Sequence, residues 1–164
     1  MIQQEYKRIL VAVDGSDAAK LAFKKAVAVT QRNKGSLIIA HVIDERSVVA
    51  QQAPFDAYGQ QHTINFSLTD TREAALNTLN AYKDYALKHG IEDVKIVVEF
   101  GNPKSALAYD LPKEYDIDLI MMGATGLNAV ERFFIGSVSE NVLREAISDV
   151  LIVRTDLENK YHDK

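Results

Sequence analysis

The sequence predicts an α/β protein built on one doubly wound parallel β-sheet. Two observations support this prediction: five short apolar runs rich in β-branched residues recur along the chain, and segments with helical periodicity separate them. The runs are almost continuously apolar, which is typical of strands covered on both faces. Because parallel neighbours need a crossover connection, this alternation indicates a Rossmann-like sheet with helices on both faces.

The five predicted strands share a similar length and composition. They are RILVAV (8–13), SLIIAHVI (36–43), KIVVEF (95–100), DLIMMG (118–123) and DVLIVR (149–154). Such strands can be ordered 3-2-1-4-5 or 2-1-3-4-5, and in both orders ligands bind at the carboxyl edge of the sheet, where the winding direction reverses. We therefore expect a binding site at that edge.

Two long helices are predicted in the first half of the chain. The first spans residues 17–33, where apolar residues form one stripe and Gly35 provides a stop signal. The second spans about 70–89 and ends at Gly90.

Two further helices are predicted in the second half. One begins after Asn102, a favourable N-cap, with Pro103 at its first position, and Pro112 is expected to kink or end it early. The last runs from about residue 137 to 147.

The domain organisation is simple. Residues 1–156 are expected to form one domain, and residues 157–164 a frayed C-terminal tail. The connection at 44–69 has no clear periodicity and is long for a loop, so it is expected to be functional or mobile.

The composition excludes several classes of protein. The chain has 164 residues, of which 47% are hydrophobic and 26% charged, and it lacks cysteine, so disulfides, thiolate catalysis and cysteine-ligated zinc are excluded. A net charge of −4 argues against nucleic-acid partners. The apolar run near residue 10 is too short for a signal peptide, and no apolar stretch approaches about 20 residues, so no membrane association and a cytoplasmic location are expected.

One stretch near the end of the predicted fourth strand carries a glycine pattern. Gly123 and Gly126 are followed by nine residues and then by Gly136 and Ser137, at the start of the last helix. Glycines allow positive φ and close approach, and a helix N-terminus attracts phosphate, so two amide-rich turns are expected to face a phosphate group. The alternatives are that the glycines only form turns and that Ser137 only caps its helix.

This pattern resembles the ATP-binding motif G-x2-G-x9-G-[ST] of the universal stress protein family. The likeness extends to ILVAVDGSDAAKLAFKKA, LIIAHVID and GSVSENVLREAISDVLIVR, and covers roughly residues 6–155. The P-loop motif and the G-x-G-x-x-G fingerprint are both missing.

The resemblance implies strand order 3-2-1-4-5, an ATP site, Mg²⁺ bound through the nucleotide phosphates rather than by protein ligands, and a homodimer. It also implies a set of nucleotide-binding residues. These are Asp14, Val42, Met122, Gly123, Thr125, Gly126, Gly136, Ser137, Val138 and Ser139.

Some of these residues have a second interpretation. Asp14 could instead stabilise the DGS turn, and Val42 could instead be a core residue of its strand, since only its backbone would contact adenine. Arg132 could reach a phosphate or be an exposed loop residue, and His41 is expected to be structural. Replacing Gly123 by Val is expected to abolish binding and leave the fold intact.

The last strand, 149–154, would lie at a sheet edge in order 3-2-1-4-5. An apolar edge invites pairing with a second chain, and a two-fold dimer through this strand satisfies it. The family resemblance implies the same homodimer.

The expected function is that of an ATP-binding regulatory dimer in a stress response, acting through other proteins. The alternatives are a slow ATPase or nucleotidyl- or phosphotransferase, for which the motif offers little cationic machinery, and a ligand-free interaction module. A receiver domain is excluded, because Phe100-Gly101 and Arg154-Thr155 stand where that class needs aspartate and lysine.

Overall fold

The computed structural model describes residues 5–50, 68–125 and 135–154 of the chain. Its sheet has five parallel strands in the order β3-β2-β1-β4-β5, which confirms the predicted fold class and excludes the alternative order 2-1-3-4-5. The strands are β1 (Arg8–Ala12), β2 (Ser36–Ile43), β3 (Val94–Phe100), β4 (Leu119–Gly123) and β5 (Asp149–Val153).

Helices cover both faces of this sheet. They are α1 (Asp17–Asn33), α2 (Glu45–Ala50), α3 (Leu68–Lys88), α4 (Pro103–Ser105), a π-helical turn (Ala106–Asp110), α5 (Leu111–Glu114) and α6 (Ser137–Glu145). One core lies between the sheet and helices α1 and α3, and the second lies under the segment from α4 to α5 and under α6. No helix within the described ranges is long and apolar enough to cross a membrane.

Helix α1 has the predicted bounds because both of its ends are specified locally. Ser16 accepts a hydrogen bond at 3.1 Å from the Ala19 amide and caps the first turn. At the other end Lys34 adopts a left-handed conformation with φ 51°, and its amide bonds back to Gln31 and Thr30.

The connection after β2 begins with a helix that the sequence analysis missed. Asp44 accepts a hydrogen bond from the Arg46 amide through Oδ1 at 3.0 Å, and its carbonyl accepts from Ser47, so α2 starts directly behind the strand. Six residues are too few to show periodicity, but an aspartate after a strand is a capping signal. Most of the connection lies outside the described residues, as do 126–134 and the predicted tail.

Pro112 was expected to kink or end its helix early; it does not end the helix, and a π-helical turn precedes it. The chain continues through Pro112 to Glu114, because a π-helical turn precedes it and shifts the hydrogen-bond pattern. Proline has no amide to donate to the carbonyl of Ala108 four residues earlier, and the Ile147 amide donates to that carbonyl instead at 3.2 Å. The proline is therefore accommodated by a contact with the chain that follows α6.

Candidate functional site

The carboxyl edge of the sheet brings several predicted site residues into one region. Asp14 follows β1, Val42 lies near the end of β2, Gly123 ends β4, and Gly136 precedes α6. The ends of β4 and α6 are joined directly, since the Gly136 amide donates to the Ala124 carbonyl at 2.7 Å. The predicted site residue Gly126 and the candidate Arg132 lie outside the described residues.

The hydroxyl of Ser139 is used inside the protein. Ser139 is buried, and its Oγ donates to the Gly123 carbonyl at 2.9 Å. This bond fixes the first turn of α6 against the last residue of β4, so the side chain positions the helix N-terminus. Ser137, by contrast, is exposed at the start of the helix.

The N-terminus of α6 has no side-chain cap. Gly136 takes φ −62° and ψ 152° at the N-cap position, where it has no side chain to accept a hydrogen bond. Helices α1 and α4 are capped by Ser16 and Asn102. Within the described part of the chain, the backbone amides of Ser137, Val138 and Ser139 have no acceptor. Free amides and the helix dipole together favour the binding of an anion such as phosphate. The N-terminus of α6, residues 136–139, is therefore called the phosphate seat.

Gly123 is required for packing rather than for an unusual backbone conformation. Its φ is not positive, and a Cβ built on it would lie 2.7 Å from the backbone carbon of Ala18 in α1. The expectation that Gly123→Val leaves the fold intact is therefore wrong, because a side chain here would collide with the backbone of α1. Close helix–strand packing is the reason for this glycine.

Asp14 stabilises the DGS turn, which is the role predicted above as the alternative to ligand contact. Its Oδ1 accepts a hydrogen bond from the Ser16 amide at 2.9 Å, and Gly15 between them has φ 86°. The turn orients the carboxylate at the end of β1 and leaves its second oxygen available. A ligand contact by that oxygen remains a prediction.

The β1–β2 ladder stops before β2 ends. The last pair is Ala12 with Ala40, and the Val13 amide donates to the Ala40 carbonyl at 2.9 Å, whereas β2 continues beside β3 as far as Ile43. The peptide groups of Ile43 face β3, since its carbonyl accepts from Gly101. By the alternation of a strand, the N–H and C=O of Val42 face the side that β1 has left.

Three other predicted residues take ordinary positions at this edge. Met122 and Val138 pack in the core between α6 and the sheet, so only their backbones remain for a ligand, and Thr125 is half-buried just beyond β4.

A cavity of about 290 Å³ opens beside this edge, between α3 and the ends of β1 and β2. Its wall includes Asp14 and His41 on the sheet side and Thr78 and Tyr82 on α3. Burial raises the pKa of Tyr82 above its ordinary value. Sequence reasoning missed these α3 residues, because their helical spacing reads as a core stripe. The described ranges contain no group of three or more histidine, aspartate or glutamate side chains that could hold a metal ion.

The fold places the chain among the doubly wound α/β proteins, and comparison with known proteins identifies the family. The model of the universal stress protein family matches residues 5–154. A putative universal stress protein of Staphylococcus aureus strain USA300 is 46% identical over 151 residues, which cover 92% of this chain and 86% of that protein. The chain belongs to the universal stress protein family.

Solved structures of relatives have the same fold. The universal stress protein UspA from Lactobacillus plantarum is 31% identical, with a TM-score of 0.73 over 93% of this chain and 100% of that one. A universal stress protein crystallised in complex with cAMP is 27% identical, with a TM-score of 0.62 over 92% of this chain and 98% of that one. The relative crystallised with cAMP therefore has a related fold and binds an adenine nucleotide.

Proposed function

We propose that this protein binds ATP at the carboxyl edge of its sheet and acts as a nucleotide-dependent regulatory dimer in a stress response. The observation that carries the proposal is the uncapped N-terminus of α6, where glycine stands at the N-cap and three successive amides have no acceptor among the described residues. Such a terminus suits a phosphate group. The relative in complex with cAMP supports an adenine nucleotide as the ligand.

Each part of the nucleotide has suitable residues at this edge. The amides of Ser137, Val138 and Ser139 and the hydroxyl of Ser137 are donors for phosphate oxygens. The Val42 peptide groups offer one donor and one acceptor to the base. The Asp14 carboxylate repels phosphate but accepts hydrogen bonds from hydroxyl groups, so it suits the ribose. Mg²⁺, when bound, neutralises phosphate charge and is held through the nucleotide.

The proposal includes a homodimer through β5. This strand lies at the edge of the sheet, as predicted, and Leu151 on it is 39% exposed. An exposed apolar edge strand is covered when a second copy pairs with it.

A substitution at Gly136 tests the proposed phosphate seat, because its effects on stability and binding are opposite. The backbone at Gly136 suits any residue, so Gly136→Asp supplies an N-cap and is expected to raise stability by a few tenths of a kcal/mol. The same carboxylate accepts hydrogen bonds from the free amides of α6 and repels phosphate. We expect ATP affinity to fall roughly 10- to 100-fold, the effect of losing a charge-assisted hydrogen bond.

Gly136→Asn is the matched control, since it caps the helix without a charge and should lose less affinity. Calorimetric titration with Mg-ATP measures binding, and urea unfolding measures stability. Equal ATP affinity in wild type and Gly136→Asp would contradict the proposal. In the wild type, steady ADP release in a day-long assay would favour an ATPase, and no response to Mg-ATP would favour a ligand-free module.

A further inference from the structure

The side chain of His41 contacts β1 at the point where its pairing with β2 stops. In the regular continuation of this parallel ladder, the Val13 carbonyl would accept a hydrogen bond from the Val42 amide. The ladder stops one step earlier, at Ala12 and Ala40, and the Nδ1 atom of His41 lies 2.7 Å from the Val13 carbonyl oxygen. The imidazole has therefore taken the place of the Val42 amide as the partner of this carbonyl.

The chemistry of this contact fixes the histidine tautomer. A carbonyl oxygen only accepts, so Nδ1 must carry the proton and donate it to Val13. The ring is half-buried and forms part of the wall of the cavity beside α3. Beyond this contact the chain after β1 enters the turn at Asp14, while β2 continues beside β3 as far as Ile43.

We propose that His41 is a positioning residue: by bonding the Val13 carbonyl, it keeps the Val42 peptide groups available to the base of a bound nucleotide. This inference rests on the proposed function for its ligand. Without the imidazole, the Val13 carbonyl would pair with the Val42 amide and extend the ladder by one step. The extension would use the donor that the base needs, and the phosphate seat at α6 would be unaffected.

The test compares His41→Leu, which has no donor, with His41→Asn, whose side-chain amide nitrogen can stand where Nδ1 stands. Hydrogen exchange at single amides is measured first, without ligand. In the wild type, the Val42 amide should exchange faster than the Ala40 amide, which faces the same side and is paired in the ladder. In His41→Leu, exchange at Val42 should slow roughly tenfold, and in His41→Asn it should stay as in the wild type.

Binding is measured next, with Mg-ATP and with inorganic tripolyphosphate, which lacks a base. For His41→Leu we expect ATP affinity to fall roughly three- to tenfold, the effect of one neutral hydrogen bond, with tripolyphosphate affinity unchanged. His41→Asn should retain ATP affinity. An equal loss for both ligands, or unchanged exchange at Val42 in His41→Leu, would overturn the assignment. If the wild type binds no nucleotide, the proposed function fails, and the exchange experiment still decides whether His41 ends the ladder.

Discussion

Gly15 and Gly123 lie near each other at the carboxyl edge, but glycine is needed at the two positions for different reasons. Gly15 has φ 86° with nothing within 4 Å of a Cβ built on it, so its requirement is conformational. Gly123 has an ordinary φ, and its requirement is steric, because the backbone of Ala18 occupies the space of a Cβ. The first glycine shapes the Asp14 turn, and the second lets α1 approach β4.

Alanine at each position separates these two costs. Gly15→Ala should lower the free energy of unfolding by about 1 kcal/mol, the cost of a left-handed backbone for an L-residue. Gly123→Ala should cost up to about 3 kcal/mol, since the helix must shift to make room. Urea unfolding of both variants measures these energies. Wild-type stability for Gly123→Ala would show that the packing of α1 on β4 is looser than described.

At the scale of elements, the segment from Pro103 to Glu114 depends on a neighbour for its hydrogen bonding. Ala108 is fully buried, and Pro112 cannot donate to its carbonyl. The Ile147 amide supplies that donor from the chain after α6. The π-helical turn and the end of α6 are therefore stabilised together.

A proline at position 147 tests this contact. Ala146 has φ −63° and ψ 144°, a conformation that suits a residue before proline, and the Ile147 side chain is 58% exposed. Ile147→Pro should therefore remove little except the amide donor, and we expect it to destabilise the protein by about 1–3 kcal/mol, the cost of an unsatisfied buried carbonyl. Ile147→Ala keeps the donor and should be close to wild type in thermal unfolding. Equal melting temperatures for the two variants would contradict this account.

At the scale of the whole molecule, the two edges of the sheet are β3 and β5, and the proposed dimer uses β5. The Val153 carbonyl accepts from the Ala124 amide, so Val153 faces β4. By alternation, Leu151 also faces β4, whereas the peptide groups of Val150 and Ile152 face outward. A partner strand would pair with these outward groups.

Two proline substitutions distinguish the dimer contact from the internal ladder. Ile152→Pro removes an outward amide and should convert the dimer to a monomer. Because edge strands tolerate proline, its cost to subunit stability should be limited to the packing of the Ile152 side chain against the second core. Leu151→Pro removes an amide that faces β4 and should destabilise the subunit itself. Sedimentation velocity and thermal unfolding measure the two effects. If Ile152→Pro sediments as the wild type does, β5 is not the dimer contact.

Much of the fold was predictable because the local pattern of apolar residues indicates which segments are buried. The five apolar runs located all five strands to within one residue at each end, and the apolar stripe with the stop signal at Gly35 gave the bounds of α1. The glycine pattern indicated the junction between β4 and α6 and the family to which the chain belongs. Asp44 could have indicated α2, since its capping interactions are local.

The sequence by itself therefore determined the fold class, the five strands, helices α1, α3 and α6 and the edge of the sheet where the candidate site lies. Only the tertiary structure decided why Gly123 is a glycine, why Pro112 is tolerated, where the hydroxyl of Ser139 donates and what His41 bonds. Each of these depends on a residue distant in the chain: Ala18, Ile147, Gly123 and Val13. Periodicity and capping act within a few residues, whereas these contacts exist only when the sheet has brought separate segments within hydrogen-bond or van der Waals distance.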